Sequence, residues 1–285
     1  MVNWRNYSGT GLSELLRLRD QPTPRLDVHW EPSPREVVAE MLTMAEVGAD
    51  DVLFDLGCGD GRIVIEAARQ RGAQGVGIDL DPRRIRESVE STDRAGVRDC
   101  VRFLNEDLFE ADISEATVVA LFLFPDVNLR LRGKLLKDLK PGTRVVYYCH
   151  SMEQWQPDRT CRIRTNHLYC WVIPGNVSGR WEGAMEDEEK QTPVRLDLRQ
   201  EFQRVKGVAV IGDRALTVED AVMKGRAFSF SFRGSHEGNG TDLFLDGIVQ
   251  GETITGTHLG FDCTGKRGRW SALRDPSTKA ELAHN

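Results

Sequence analysis

The residues best suited to chemistry surround a glycine-rich turn with carboxylates beside it. Residues 55–61 read Asp-Leu-Gly-Cys-Gly-Asp-Gly, follow the apolar residues 52–54, and pass directly into a helical pattern over residues 62–70. Glycine at such a turn tolerates positive φ and leaves room for a ligand to approach the backbone. A second apolar segment ends at Asp79, whose carboxylate can accept both hydroxyls of a ribose at the open edge of a parallel sheet. The pattern therefore predicts a pocket for a nucleoside.

The charge beside the turn indicates which kind of nucleoside the pocket binds. A dinucleotide-binding turn has the spacing Gly-x-Gly-x-x-Gly and holds a pyrophosphate at the helix N-terminus. Here the spacing is Gly-x-Gly-x-Gly, and Asp55 and Asp60 flank or interrupt the turn. Two carboxylates repel a diphosphate, whereas they suit a ligand that carries a sulfonium and an ammonium group. A nicotinamide-binding domain and a purely structural turn stay as the alternatives.

Strands and helices alternate regularly around this turn. Ser33 is predicted to cap a helix that precedes the first strand. Helical spacing also predicts helices over residues 61–71, from Pro82 to Gly96, and from Pro125 to a stop at residues 141–142. Apolar runs predict strands over residues 52–56, 75–79, 101–105, 117–124 and 144–149, and an edge hairpin over 160–173. This alternation predicts an α/β fold with a Rossmann-like, doubly wound, mainly parallel sheet.

Beyond Pro174 the pattern changes to short alternating segments separated by Gly, Asp and Asn turns. Such spacing predicts a small all-β antiparallel barrel or sandwich. The predicted strands are 178–184, 194–204, 206–211, 226–233, 241–250, 252–258 and 268–273. We therefore predict three regions: an N-terminal arm over 1–25, an α/β domain over 26–175, and an antiparallel β domain over 176–285.

Composition restricts the partners and the compartment that we expect. The chain of 285 residues has a formal net charge of −6, so no nucleic-acid partner is expected from overall charge. Its six cysteines include no Cys-x-x-Cys pair and no nearby His at zinc spacing, which predicts reduced thiols, no metal site and a cytoplasmic protein. No apolar run approaches the length of a membrane span, so no membrane association is expected.

Three segments together resemble a known family. They are residues 29–34, His-Trp-Glu-Pro-Ser-Pro; residues 55–64, Asp-Leu-Gly-Cys-Gly-Asp-Gly-Arg-Ile-Val; and residues 117–144 around the fourth predicted strand. They are similar to the class I S-adenosylmethionine (SAM)-dependent methyltransferases, and within these to the branch that methylates lysines of the ATP synthase c-subunit and the adenine nucleotide translocase. The resemblance covers about residues 28–173. Trp30 departs from the pattern, because the family often has Tyr-Val there, and the β region after Pro174 has no counterpart in the mitochondrial enzymes.

The resemblance implies SAM as the cofactor and assigns residues to it. Asp79 is expected at the ribose hydroxyls, and Asp107 at the adenine amino group with Leu108 packed against the ring. Asp107 also reads as a helix N-cap with Glu110, and both roles can hold at once. The residues expected to bind the cofactor are Glu31, Asp55, Gly57, Cys58, Gly59, Asp79, Leu80, Asp107 and Leu108.

The methyl acceptor is expected at the loops that follow the fourth and fifth strands. Asn128, Tyr148 and His150 are the candidate catalytic residues there. A lysine acceptor is mostly protonated at neutral pH, which costs about 4–5 kcal/mol, and an apolar aromatic channel reduces that cost by desolvation. Trp30, Phe124 and Tyr148 are candidates for lining such a channel.

Several functions stay open at this point. The acceptor is a protein, with lysine as the leading candidate, or a small molecule. The first domain is alternatively a SAM sensor without catalytic activity and the β domain its effector, and a nucleotide-dependent dehydrogenase is a further alternative. The β domain is predicted either to shape the acceptor site or to form a homodimer contact.

Overall fold

The chain divides into two compact units, Met1–Ile173 and Pro174–Asn285. The computed structural model describes residues 17–19, 21–22, 24, 31–187, 190–232, 242–261 and 267–282. The first unit combines a seven-stranded sheet with helices, and the second is a closed barrel of strands. The predicted fold class, an α/β methyltransferase-like sheet followed by a small antiparallel β domain, is thereby confirmed.

The sheet of the first unit is mainly parallel. Its strands are β1 (Val52–Leu56), β2 (Gln74–Ile78), β3 (Val101–Leu104), β4 (Val118–Leu121), β5 (Arg144–Tyr148), β6 (Arg159–Ile163) and β7 (Asn166–Val172). Their spatial order is β3-β2-β1-β4-β5-β7-β6, in which β7 runs antiparallel to β5 and β6 completes an edge hairpin. The central strands β1 and β4 are buried along their whole length, as in sheets with both faces covered. The carboxyl ends of β1 to β5 therefore meet at one edge, where the glycine-rich turn lies.

Four helices are described in the first unit: α1 (Arg35–Met44), α2 (Arg62–Arg71), α3 (Pro82–Ala95) and α4 (Pro125–Asp138). The carboxylate of Asp81 accepts a hydrogen bond from the Arg83 backbone N–H and so caps α3. No helix in the described ranges has the length and apolar character needed to cross a membrane.

Two of the predicted boundaries that differ from the structure lie in the first unit near the glycine-rich turn. The N-cap position of α1 is Pro34, which makes no side-chain cap bond, and the predicted cap Ser33 lies one residue further out. Strand β4 ends at Leu121 instead of residue 124. The apolar run continues to Phe124, but residues 122–124 leave the sheet as an irregular segment that leads into α4. An apolar pattern alone does not distinguish such a segment from a strand.

Part of the predicted N-terminal arm belongs to the core of the first unit. Leu18 is fully buried and shares a hydrophobic cluster with Val37 and Met41 of α1. Its carbonyl oxygen accepts a hydrogen bond of 2.7 Å from Nη1 of Arg86 on α3. Apart from residues 17–19, 21–22 and 24, the arm lies outside the described residues.

The second unit is a closed antiparallel barrel. Its strands are β8 (Gly179–Glu186), β9 (Gln191–Glu201), β10 (Arg204–Ile211), β11 (Arg214–Lys224), β12 (Ala227–Phe232), β13 (Asp242–Gln250), β14 (Thr253–Phe261) and β15 (Arg267–Arg274). Each strand pairs with the next, and β15 pairs with β8, so that no sheet edge is left open. Inward-facing aromatic side chains fill the barrel, and the rings of Phe230 and Trp270 meet edge to face at 6.1 Å.

Strand β11 is not predicted by the sequence pattern. Its sequence contains the adjacent acids Glu219 and Asp220, which interrupt the alternation of apolar and polar residues that marks a strand. Backbone pairing with β10 and β12 on either side stabilises β11 as a strand although its local pattern does not predict one. An eighth strand allows the sheet to close, which decides between the predicted alternatives in favour of a barrel.

Candidate active site

A cavity of about 350 Å³ opens at the carboxyl ends of β1, β2 and β4. This volume lies within the range of pockets that hold small molecules. The glycine-rich turn lines the cavity through Gly57 and Cys58. The backbone N–H groups of both residues donate to the carbonyl of Ile78 at the end of β2 (2.8 and 3.0 Å), which fixes the turn against that strand. Among the predicted cofactor residues, those that line the cavity are Glu31, Asp55, Gly57, Cys58, Asp79, Leu80, Asp107 and Leu108.

Gly57 occupies a conformation and a space that suit only glycine. Its φ is +85°, and a Cβ built on its backbone would lie 2.7 Å from Cδ2 of Leu123 in the cavity wall. We expect Gly57→Ala to lower the free energy of unfolding by about 2 kcal/mol, measured by urea denaturation. Gly48→Ala is the matched control, since nothing lies within 4 Å of its Cβ position. Equal urea midpoints for the two variants would contradict the strain at Gly57.

Asp55 is a buried carboxyl group on β1 that faces the cavity. Its surface is 2% exposed, and among the residues that the structure describes none donates a hydrogen bond to its side chain. Burial, together with the negative charges of Asp79 and Asp60, raises the pKa of Asp55 to about 8. A buried acid with no donor among the described residues is available to a ligand, and a cationic ligand group would favour its ionised form.

Asp79 follows β2 and connects three parts of the site. One carboxylate oxygen accepts a hydrogen bond from the Gly59 backbone N–H, and the other accepts one from the Asp81 backbone N–H, both at 2.9 Å. Burial raises the pKa of Asp79, and these two hydrogen bonds partly oppose the rise. Gly59 itself does not line the cavity, and its carbonyl accepts from the hydroxyl of Ser88 (2.7 Å). The Gly59 bond therefore acts on the conformation of the turn.

Asp60 has a different role from the one that its charge suggested. It forms a two-pronged pair with the guanidinium of Arg62, with Nε to Oδ1 at 2.8 Å and Nη2 to Oδ2 at 2.6 Å. These hydrogen bonds and the adjacent charge lower the pKa of Asp60 despite its partial burial. The expectation that Asp60 offers its charge to the ligand is corrected, because Arg62 already neutralises it. Sequence reasoning missed Arg62, although it stands directly after the turn.

The far end of the cavity combines apolar side chains with Asp107. The Asp107 carboxylate accepts a hydrogen bond from the Phe109 backbone N–H (2.9 Å) within a turn that does not continue into a helix. Leu80 is 37% exposed, which is unusual for a leucine and leaves its surface available inside the cavity. The guanidinium of Arg130 lies 4.0 Å from the centroid of the Phe109 ring. Phe109 and Arg130 also line the cavity, and no motif in the sequence marks either of them.

The predicted catalytic residue Asn128 lies beneath the cavity wall. It is fully buried and does not line the cavity. Its side-chain amide donates to the carbonyls of Leu123 (3.2 Å) and Phe124 (3.0 Å) and to the hydroxyl of Tyr147, which itself donates to Leu123 (2.8 Å). This geometry holds the segment after β4, residues 122–124, in place, whereas contact with an acceptor stays a prediction.

Tyr148 approaches the cavity indirectly. Its ring packs against that of Phe122, which lines the cavity, with 4.4 Å between the centroids and an interplanar angle of 34°. Its hydroxyl donates to Oδ1 of Asn166 (2.9 Å). Burial raises the pKa of Tyr148, and the charges of Cys149 and Glu31 add to the rise. Glu31 thus acts electrostatically on the end of β5.

The other residues predicted to contact the acceptor are His150, Phe124 and Trp30, and the two of these that the structure describes do not line the cavity. His150 is half-buried, its ring centroid is 6.2 Å from that of Tyr147, and it does not line the cavity. Phe124 is 43% exposed. Trp30 lies outside the described residues. Within the described ranges, no group of three or more His, Cys, Asp or Glu side chains is arranged to hold a metal ion.

Comparisons with known proteins agree with this geometry. Residues 55–159 match the model of the ANTKMT methyltransferase domain. The chain is 42% identical over 151 residues to a protein-lysine N-methyltransferase of Saccharolobus islandicus, covering 51% of this chain and 94% of the relative. It is 36% identical over 108 residues to the mouse lysine N-methyltransferase of the ATP synthase c-subunit, covering 38% of this chain and only 43% of that enzyme.

A solved structure is also similar to the first unit. It is an RNA methyltransferase of Salinibacter ruber, crystallised with S-adenosyl-L-homocysteine (SAH). Sequence identity is 51% and the TM-score 0.51, and the match covers 52% of this chain and 96% of that one. The matches to these relatives therefore span between 38% and 52% of this chain.

Proposed function

Because this chain belongs to the ANTKMT methyltransferase family, and is thus a SAM-dependent methyltransferase, we propose that it methylates the ε-amino group of a protein lysine. The observation that carries the proposal is the similarity to the Saccharolobus islandicus protein-lysine N-methyltransferase over 94% of that protein's length.

We assign the cofactor to the cavity at the ends of β1 and β2. The fit is supported by the buried Asp55 carboxyl group, which has no donor among the described residues and suits the ammonium or sulfonium of SAM. Asp79 would hold the ribose hydroxyls, and Leu80, Leu108 and Asp107 the adenine. Gly57, Cys58 and Glu31 also line this cavity, while Gly59 acts through its bond to Asp79.

The acceptor side of the site has features that suit a lysine. Glu31 is exposed and lines the cavity, so its carboxylate can attract a cationic side chain. The rings of Phe122 and Tyr148, which pack against each other, provide apolar surface beside it. Desolvation against such rings lowers the pKa of an amine and so reduces the cost of exposing its lone pair.

The chain's own residues have mainly a positioning task in this reaction. SAM, when bound, would supply a methyl group attached to a sulfonium sulfur, and this sulfur becomes a neutral thioether when the methyl group is transferred. Asp55 and Asp79 would orient the cofactor from opposite sides of the glycine-rich turn. Asn128 and Tyr147 fix the carbonyl of Leu123 and so the segment after β4, beside which the acceptor would bind. Precise alignment of reacting groups alone accounts for large rate enhancements.

An RNA acceptor is the second candidate, since the Salinibacter ruber structure is described as an RNA methyltransferase. Charge argues against it. The chain has a net charge of −6, and Arg62 and Arg84 of the cavity wall are paired with Asp60 and Glu87. Binding of RNA depends on cationic side chains that are available to phosphates.

Transfer of a labelled methyl group tests the acceptor class. The full-length chain is incubated with methyl-labelled SAM and a cell lysate, and protein, RNA and low-mass fractions are counted separately. We expect label in protein that yields methyl-lysine on acid hydrolysis, and loss of label with Asp79→Ala. Label confined to RNA or to small molecules would refute the lysine proposal.

We further propose that residues 26–175 contain the whole methyltransferase and residues 176–285 a separate β domain. A chain truncated after residue 175 is expected to stay folded and to bind SAH within about threefold of the full-length affinity, because a domain has its own core. Calorimetric titration of both forms measures this. Aggregation or loss of binding would show instead that the β region is integral to the first domain.

We also propose a cytoplasmic location. The described cysteines, Cys58, Cys100, Cys149, Cys161 and Cys170, are free thiols. Reduced thiols without disulfides are typical of a reducing compartment. Fractionation of cells with an antibody to the protein tests this location.

A further inference from the structure

One guanidinium group joins two segments of the cavity wall that lie far apart in sequence. Arg62 holds Asp60 through Nε and Nη2, at 2.8 and 2.6 Å, and its third nitrogen, Nη1, donates to the backbone carbonyl of Ser33 at 2.7 Å. Ser33 is buried, at 4% exposure. Arg62 thus connects the glycine-rich turn to residues 31–33, which we name the cover segment.

The two connected segments enclose the same cavity. Glu31, Pro32 and Ser33 of the cover segment line it, and so do Asp60 and Arg62. The cover segment belongs to no helix or strand, since α1 begins only at Arg35, so it has no regular backbone hydrogen bonds of its own. The bond from Arg62 is therefore a specific restraint on where the cover segment lies.

Arg62 stands between two cavities. On its other side lies a second cavity of about 290 Å³, which Asp60 and Arg62 also line, together with Arg35, Ile65 and Arg69. The Arg62 side chain is therefore part of the wall of both cavities.

We propose that Arg62 is a positioning residue that fastens the cover segment over the cofactor and thereby slows its release. The inference rests on the SAM-dependent function proposed above. Because Asp60 neutralises the charge of the Arg62 guanidinium, this guanidinium can border a site for a cationic cofactor. Lysine cannot replace Arg62, because a single ammonium cannot reproduce a planar fork that holds a carboxylate and a third acceptor together.

Release of SAH from the full-length chain tests the proposal. Bound SAH is displaced by excess competitor in a stopped-flow instrument for the wild type, Arg62→Lys, Arg62→Ala and Asp60→Asn. We expect SAH release to be about 10-fold faster in both Arg62 variants, because each loses a charge-assisted hydrogen bond. Release from Asp60→Asn should be accelerated less, because this variant keeps the bond from Arg62 to Ser33. KM for SAM should rise by a similar factor, with kcat changed by less than about twofold.

Arg69→Lys is the matched control, since Arg69 lies on the same helix, is exposed, and forms only a loose pair with Glu66 at 3.7 Å. Its release rate should equal that of the wild type. Wild-type release from Arg62→Lys would overturn the proposal, as would a loss of kcat with unchanged KM. A wild-type chain that binds no SAH would refute the proposed function instead, so the two failures are distinguishable.

Discussion

Asp79→Ala is expected to weaken binding of SAH by about 100-fold, or about 3 kcal/mol, because hydrogen bonds to a charged group are worth about 1.5–3 kcal/mol each. In the proposed complex the carboxylate accepts the ribose hydroxyls. In the structure it also holds the backbone N–H groups of Gly59 and Asp81. The substitution therefore removes a ligand contact and a restraint on the glycine-rich turn at once.

Asp79→Asn separates these two contributions. The amide keeps one oxygen, which can still accept from Gly59, but it lacks the charge. We expect Asn to weaken binding less than Ala, with both measured by isothermal titration calorimetry. Asp99→Ala, which removes an exposed carboxylate, is the control and should bind SAH as the wild type does. Near-wild-type affinity in Asp79→Ala would place the ribose elsewhere.

Asp55→Asn is expected to weaken cofactor binding and to stabilise the free protein. The pKa of Asp55 is about 8 in the folded protein and near 3.8 when exposed. A cationic cofactor group favours the ionised carboxylate, so binding releases a proton at neutral pH. Affinity of the wild type for SAM should therefore rise about 10-fold between pH 7 and pH 9 and level off above the pKa. The Asn variant should bind weakly and lose this pH dependence.

The raised pKa of Asp55 also makes the stability of the free protein depend on pH. Stability falls as the pH rises, whereas affinity for the cofactor increases. Because the folded state holds the Asp55 proton more tightly than the unfolded state, its stability is greatest below about pH 4 and falls as the pH rises to about 8. Asparagine removes this loss. We expect Asp55→Asn to raise the free energy of unfolding at pH 8.5, by up to about 5 kcal/mol, and to have little effect at pH 4.

Urea denaturation of the cofactor-free protein at the two pH values measures this effect. Asp112→Asn, an exposed acid whose pKa is lowered instead of raised, is the control and should show no gain at pH 8.5. A destabilised Asp55→Asn variant at pH 8.5 would show that the carboxylate is supported by the fold. The argument that Asp55 binds a cationic group of the cofactor would then be refuted.

The elements that surround the cofactor cavity could be predicted because their signals are local. The buried strands β1 and β4 are continuous apolar runs, and Gly57 precedes a helix at a fixed spacing. Parallel strands place their carboxyl ends at one edge, so Asp79 and Asp107 were expected to meet, and both line the same cavity. The cofactor residues themselves stay proposals.

The remaining features depend on partners distant in sequence. Asp60 appeared to offer a free charge because its bond to Arg62, and the bond of Arg62 to Ser33, exist only after folding. Asn128 appeared available to an acceptor, but packing buries it against Tyr147. Barrel closure likewise requires β15 to find β8 across most of the second unit. Local periodicity contains no information on such pairings.

A crystal structure of the chain with SAH tests the central claim, that carboxylates around the glycine-rich turn select a cationic adenosine compound. We predict the ribose hydroxyls within hydrogen-bond distance of Asp79, the adenine beside Leu108 and Asp107, and the amino group of SAH directed toward Asp55. A pyrophosphate on the turn, or SAH bound away from Asp55 and Asp79, would contradict it.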